Sequence, residues 1–293
     1  SLSEIARVLP ASGKGFPSTT LARILIRQLT VVLPQSVYYN REQSGNHSCG
    51  AVHVQQYLSS FLYDFKIAKI LEHESRRQFE LYNTLVDLPD GSMYGRSAGY
   101  SRHEFTENGV YINKIREADL EWLTPAVELE FQDRLADRVF WYFNLFDAGG
   151  EHLNGVAAGR RNMDFTKRVN LVEKFQPGIL RNKSLQALAS TILRNQTKPD
   201  WNGQTHTHLG NPLLNGGLFS YEPPPYTSIS FPYNHISIMR SGWDAQKDQA
   251  GIFLHSSGRG LDGGLFLRAK NCNSLTLSAF NQTLLVNGIE YAY

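Results

Sequence analysis

The chain has 293 residues, 41% of them hydrophobic and 19% charged, with a formal net charge of +2. That is enough for one large domain or two modest ones, each with its own core. The near-balance of charge gives no reason to expect nucleic acid or an anionic membrane as partner, and no apolar run reaches the ~20 residues of a membrane-spanning helix.

Taken in order, the apolar residues Leu21, Ile24, Leu25, Ile26, Leu29 and Val32 fall at helical spacing, predicting a helix from Thr19 to Leu33 that ends at Pro34. A second helix is expected from about Gly50 to Lys69, with Val52, Tyr57, Leu58, Phe61, Leu62 and Phe65 on its inner side. A third covers Ser75 to Val86 and stops before Pro89-Asp90-Gly91, a strong turn signal. Periodicity in Trp122, Leu129, Leu135, Val139 and Phe143 predicts a helix over roughly Glu117 to Phe146, and a shorter one follows from Lys183 to Arg194. Helices joined by short turns, with little strand signal through about residue 210, read as stacked helical hairpins.

The texture then changes. Residues 211–226 are rich in Asn, Gly and Pro, including Pro223-Pro224-Pro225, and read as a linker. Short runs of β-formers punctuated by glycine follow, at Tyr226–Ile238, Gly251–His255, Leu265–Ala269, Ser274–Phe280 and Thr283–Val286. Ser274-Leu275-Thr276-Leu277-Ser278 alternates as a strand with one buried face does. The expectation is an α+β chain: helices over 1–210, a linker over 211–226 and an antiparallel sheet over 227–293 with too few strands to close a sandwich. Cys49 and Cys272 cannot make a disulfide framework and read as free thiols.

The stretch with most chemistry runs from Asn46 to Tyr100. Asn46-His47 stands where the chain enters a long helical run, and Asp90-Gly91-Ser92 leads through Arg96 to Tyr100. An amide, an imidazole and a phenol suit removal of a proton next to a carboxylate. The first two can hold the carboxylate while the phenol moves the proton. Taken alone, Asn46-His47 reads as a helix start, since Asn caps well, and Tyr100 is one of 14 tyrosines. His206-Thr207-His208 lies in a polar loop with no carboxylate or thiol nearby beyond Asp200, and reads as surface. The glycine turns at Gly258-Arg259-Gly260 and Gly263-Gly264 precede no helix and do not read as phosphate sites.

Ile236-Ser237-Ile238-Met239-Arg240-Ser241-Gly242-Trp243 resembles the R-S-G-W strand that opens the β-sandwich of heparinase II/III-like polysaccharide lyases. Asn273 to Phe280, followed by Leu284 to Tyr291, resembles that family's L-S-F-E-L-Y-A-F-G-x-P-L-L-V-D-P-G-x-Y segment. Asn46-His47 is similar to its Asn-His pair, and Asp90-Gly91-Ser92 with Gly95, Ser97 and Tyr100 to its D-G-S-x-x-E-G-S-x-x-Y stretch. The four matches occur in the family's order, with roughly fifty residues between His47 and Tyr100.

The resemblance implies an N-terminal (α/α) toroid of helical hairpins followed by the start of an antiparallel β-sandwich. It also implies β-elimination at a uronic acid in an acidic polysaccharide or oligosaccharide, by a secreted or periplasmic bacterial protein. Asn46 and His47 would neutralise the substrate carboxylate, and Tyr100 would act as proton donor and acceptor. A phenol with an ordinary pKa near 10 needs cationic neighbours for the second role, and Arg96, Arg102 and His103 would supply them. Arg160 and Arg161 are similar to an arginine-bearing cleft segment of related chondroitin and hyaluronate lyases, where a guanidinium binds carboxylate or sulfate bidentately.

The family's H-x-H-x-D falls on Leu267-Arg268-Ala269-Lys270-Asn271 and its metal-binding Asp on Asn287. With imidazole and carboxylate both replaced, no metal is expected there, and no cofactor. Arg268 and Lys270 read as an exposed strand face, with contact to an acidic glycan as the functional alternative. The acidic residue before the family's Gly-Ser is Tyr94 here. Two rivals keep the fold and change the function. One is a glycan-binding pseudoenzyme. The other is an (α/α)-toroid glycoside hydrolase, which needs two carboxylates across a cleft, with Asp87, Asp90 and Glu104 as candidates.

Overall fold

The computed structural model describes residues 18–40, 46–62, 65–93, 122–148, 182–195, 222–244, 246–254, 274–280 and 282–285. Helix α1 (Ser18–Arg27) runs through a π-helical turn (Gln28–Val32) into α2 (Leu33–Asn40). The expected stop at Pro34 does not occur. The Leu33 N–H bonds the Gln28 carbonyl in π fashion, so the ladder is already reset one residue earlier. Pro34 closely follows that π-turn, the kind of local irregularity by which a continuous helix accommodates a residue with no N–H.

Helix α3 (Asn46–Phe61) is followed by α4 (Lys66–Val86) after a tight link in which the Phe65 N–H bonds the Leu62 carbonyl at 2.7 Å. The break therefore lies at 62–65, not between Lys69 and Ser75 as the sequence pattern predicted. The reason is that Ala68, Leu71, Ser75, Phe79 and Tyr82, all buried, continue one helical stripe through the expected gap, with neither Gly nor Pro to interrupt it. The two helices pair as an antiparallel hairpin. Leu58 and Leu62 pack with Ala68 and Leu71 beside the link, the Ser75 hydroxyl donates to Gln56 Oε1 at 2.9 Å further along, and Val52 shares a cluster with Phe79 and Phe131 beyond that. Phe79 meets Phe131 edge to face at 5.0 Å, a pairing worth about 0.5–1.5 kcal/mol beyond its area.

Helix α5 spans Pro125–Asn144. The periodicity had placed its start near Glu117, but Thr124 caps it, accepting from the Val127 N–H at 3.3 Å with Pro125 in the first turn. That Thr-Pro pair is the local start signal, and it leaves Trp122 and Leu123 outside the helix. Helix α6 (Lys183–Asn195) agrees with expectation to one residue. Asn182 Oδ1 caps it from the Leu185 N–H at 2.9 Å.

Five strands follow: β1 (Ser228–Phe231), β2 (Ile236–Arg240), β3 (Gln249–Leu254), β4 (Ser274–Ala279) and β5 (Gln282–Leu285), each antiparallel to the next in a sheet of order 1-2-3-4-5. The predicted run Tyr226–Ile238 is two strands, because Pro232–Asn234 forms a 3-10 turn closed by His235 at φ 54°. The run Leu265–Ala269 lies outside the described residues. Ile238, Ile252 and Thr276 pair across β2, β3 and β4 on the face turned to the helices. In β4 the alternation therefore holds, but Thr276 and Ser278 are the buried members. Leu277 joins Met239 and Leu285 on the exposed opposite face. Gly251 lies in that same row, where a Cβ would come within 2.8 Å of the Leu277 side chain.

Helices and sheet share one hydrophobic cluster. Tyr82, Met93, Leu135, Trp141, Tyr142, Phe143, Phe146, Leu185 and Leu188 pack with Phe231, Ile236, Ile238, Trp243 and Ile252. At its seam lies Arg240, the arginine of R-S-G-W, 6% exposed. Its Nη2 donates to the carbonyls of Asn144 and Phe146 at 2.7 and 2.8 Å, satisfying acceptors that the C-terminal end of α5 leaves free. Its guanidinium stacks 4.5 Å from the centroid of Trp243. The Trp243 indole donates to the Tyr226 carbonyl at 2.7 Å, and the Tyr226 hydroxyl donates to Asn144 Oδ1 at 3.1 Å. Burial lowers the Arg240 pKa to about 10 and pushes the Tyr226 phenol up to about 12. Tyr226, the last residue of the predicted linker, is thus an anchor of the sheet to α5.

Candidate functional site

Asn46 and His47 form the first turn of α3; their side chains lie outside the described residues. So do Tyr100, Arg96, Arg102, His103, Arg160, Arg161, Glu104 and the His206–His208 loop. What the fold does position is the backbone on which the first of these stand. The register of the α3–α4 hairpin pairs Gln56 with Ser75 and Val52 with Phe79. Continued toward the start of α3, it sets the Asn46–His47 turn opposite the last turn of α4, which ends at Val86. The segment leading to Tyr100 leaves from that same end.

Its root, Asp87 to Met93, is a compact turn held on three sides. Asp87 and Met93 pair as a β-bridge, and the Leu88 N–H bonds the Ser92 carbonyl at 3.0 Å. Met93 is fully buried in the main cluster. From α5, Arg138 donates through Nε and Nη2 to the two oxygens of the Asp87 carboxylate, the second at 2.7 Å, and through Nη2 to Asn83 Oδ1 as well. The Arg138 side chain is 3% exposed and that of Asp87 17%, so this is a bidentate pair largely out of water.

Asp90 closes the turn. Its Oδ1 accepts from the Ser92 N–H at 3.1 Å and the Ser92 hydroxyl at 2.5 Å, while Oδ2 accepts from the Tyr233 N–H at 3.0 Å, in the 3-10 turn between β1 and β2. Gly91 has φ 77°, and a Cβ there would lie 3.0 Å from Asp137 Cβ. Both the left-handed backbone and the close approach require glycine. Gly91→Ala is expected to cost about 1–2 kcal/mol, read as a lower urea midpoint at unchanged m-value. The Asp137 carboxyl is held above the ordinary carboxylate range, first by burial and then by Asp133 and Asp87.

Sequence reasoning marked Pro89-Asp90-Gly91 as a turn and Asp87 and Asp90 as carboxylates of interest. It missed Arg138, because nothing local distinguishes one arginine on an amphipathic helix, and it missed the backbone contact at Tyr233. Among the described residues no group of three or more His, Cys, Asp or Glu is placed to hold a metal ion. No described helix is long and apolar enough to cross a membrane.

No known family profile matches the chain, and no curated protein matches it in sequence. Solved structures do. A heparinase III matches with a TM-score of 0.60 at 12% identity, over 85% of this chain and 33% of its own. A second heparinase III structure gives 0.58 at 9% identity, over 82% and 34%. The heparan sulfate lyase HepC from Pedobacter heparinus gives 0.53 at 11% identity, over 82% and 32%. The chain thus spans about a third of the length of the structures it matches. At this identity the likeness is one of fold: helices followed by an antiparallel sheet, arranged as in a distant polysaccharide lyase.

Proposed function

We propose that the chain carries the catalytic helices and first sheet of a polysaccharide lyase, an (α/α) toroid joined to the opening of a β-sandwich. It would cleave a uronate-containing glycosaminoglycan of the heparan type by β-elimination. The observation that carries this reading is the fold likeness to heparinase III and heparan sulfate lyase structures across the helix-to-sheet switch. The Asn46–His47 turn and the root of the Tyr100 segment stand at one end of one hairpin within that fold.

The chemistry follows from the residue types. A uronate α-proton is weakly acidic because the carboxylate resists more negative charge. Asn46 and His47 neutralise that charge through hydrogen bonds, at a helix N-terminus whose free N–H groups add partial positive charge. Tyr100 takes the α-proton or protonates the departing glycosidic oxygen, its phenolate favoured by Arg96, Arg102 and His103. Arg160 and Arg161 bind carboxylate or sulfate further along the chain. On that reading the protein would act outside the bacterial cytoplasm, secreted or periplasmic.

A hydrolase reading is less well supported. Of its candidate carboxylates, Asp87 is paired with Arg138 and Asp90 is engaged by Ser92 and Tyr233, so both already serve to hold the turn.

The test is ultraviolet absorbance during incubation with heparan sulfate, heparin, chondroitin, hyaluronan, alginate and ulvan. Elimination leaves an unsaturated sugar, so a rise is expected, largest with heparan sulfate. A flat trace on every glycan with binding retained would leave the glycan-binding pseudoenzyme ahead.

A further inference from the structure

We propose that two copies of this chain pack sheet against sheet, each supplying the layer that the other lacks; the inference rests on the sheet and stands apart from the lyase chemistry. The five strands form a single antiparallel layer whose inner face packs on the helices. A sandwich needs a second such layer. Pairing across the strands sets Ser228, Met239, Gly251, Leu277 and Leu285 in one row of the outer face. Met239, Leu277 and Leu285 are 53%, 37% and 42% exposed, and Phe253 and Leu275 stand partly exposed in the row beside it. Arg240 is the one charged residue in the five strands, and it is buried against α5. A solvated sheet face ordinarily turns polar side chains outward. This one turns an apolar side chain outward from each of β2 to β5.

The face selects its occupant. With no cation of those strands turned outward, it has nothing to pair with the carboxylates or sulfates of an acidic glycan. At a strand spacing of about 4.8 Å and a rise of about 3.4 Å per residue, five strands of about five residues present roughly 24 by 17 Å. That is about two helix diameters across, so a second sheet covers what one docked helix would leave open. A copy of this chain carries such a sheet. A two-fold axis along the central strand β3 lays β2 of one copy over β4 of the other, with Met239 across from Leu277 in both halves and Gly251, which has no side chain, at the axis. The pair is closed, because each copy spends its open sheet face on the other. Two faces of roughly 400 Å² each in plan bury on the order of 1,000 Å² of accessible surface once side-chain relief is counted, the lower edge of specific interfaces. The dimer is therefore expected to be weak, with a dissociation constant in the micromolar range.

Sedimentation velocity on the full chain, titrated across the micromolar range, reads the mass. The rate at which dilute peroxide oxidises Met239 in the same samples reads the face. The mass is expected to move from 33.1 kDa toward twice that, with Met239 oxidation slowing in step while the fully buried Met93 stays slow throughout. Met239→Lys and Leu277→Lys each place a charge in the seam and are expected to raise the dissociation constant more than about tenfold. Leu129→Lys, at an exposed position of α5, is expected to leave it unchanged. Both seam positions are exposed in the single copy, so dichroism and the urea midpoint should stay close to wild type. Should Leu277→Lys lose its fold, Met239→Lys carries the test alone. A mass that stays at 33.1 kDa at every concentration overturns the proposal. So does a dimer in which Met239 oxidises no more slowly, a dimer that survives lysine at the seam, or assembly that continues past two copies.

Discussion

Tyr100→Phe is expected to lower the rate of unsaturated-sugar formation by about 10²–10⁴-fold with little change in KM. Phenylalanine keeps the ring and removes the hydroxyl that the proposed mechanism uses to exchange a proton with substrate. Lost binding would raise KM, whereas a lost proton transfer acts on kcat alone. Steady-state kinetics on heparan sulfate separate the two. A variant that retains the wild-type kcat would remove Tyr100 from the reaction.

The second large effect is on stability. Arg240→Ala is expected to destabilise the protein by about 3–5 kcal/mol, from two charge-assisted hydrogen bonds, a cation–π contact and a cavity at the seam. The two carbonyls it leaves belong to the fully buried residues Asn144 and Phe146, where losing a charged donor is costly. Arg240→Met should cost less, because it fills the space and spares the burial of a charge whose pKa is already lowered to about 10. Since helices and sheet share one core containing Trp141 and Trp243, far-ultraviolet dichroism and tryptophan fluorescence should lose signal in one transition. Two separate transitions would show that the sheet melts away from α5.

Much of the architecture is legible in the sequence because helical periodicity is a local property. α6 and the end of α4 follow from their apolar spacing and from Pro89-Asp90-Gly91. The errors come where a non-local fact decides. Pro34 reads as a stop because the π-turn that absorbs it has no sequence signature. The α3–α4 break moves because packing against Val52, Leu58 and Leu62 rewards one unbroken stripe along α4. In β4 the leucines look like the buried face, and only the pairing of Thr276 with Ile252 assigns the faces. The candidate set could be read only as residue types in an order, Asn46-His47 before Tyr100. The contacts that hold the Asp87–Met93 turn could not be read from sequence. Arg138 and the Tyr233 N–H act across 51 and 143 residues, and no window of sequence contains both ends of such a contact.

The most direct test of the lyase account is where oxygen goes when the chain is cut. Heparan sulfate digested in water enriched in heavy oxygen, with products weighed by mass spectrometry, separates elimination from hydrolysis without reference to any residue. Elimination predicts fragments whose masses sum to that of the parent, each cut leaving one unsaturated end and adding no water. Fragments that together outweigh the parent by one solvent water per cut, with no unsaturated end, would mean hydrolysis, and would contradict the account.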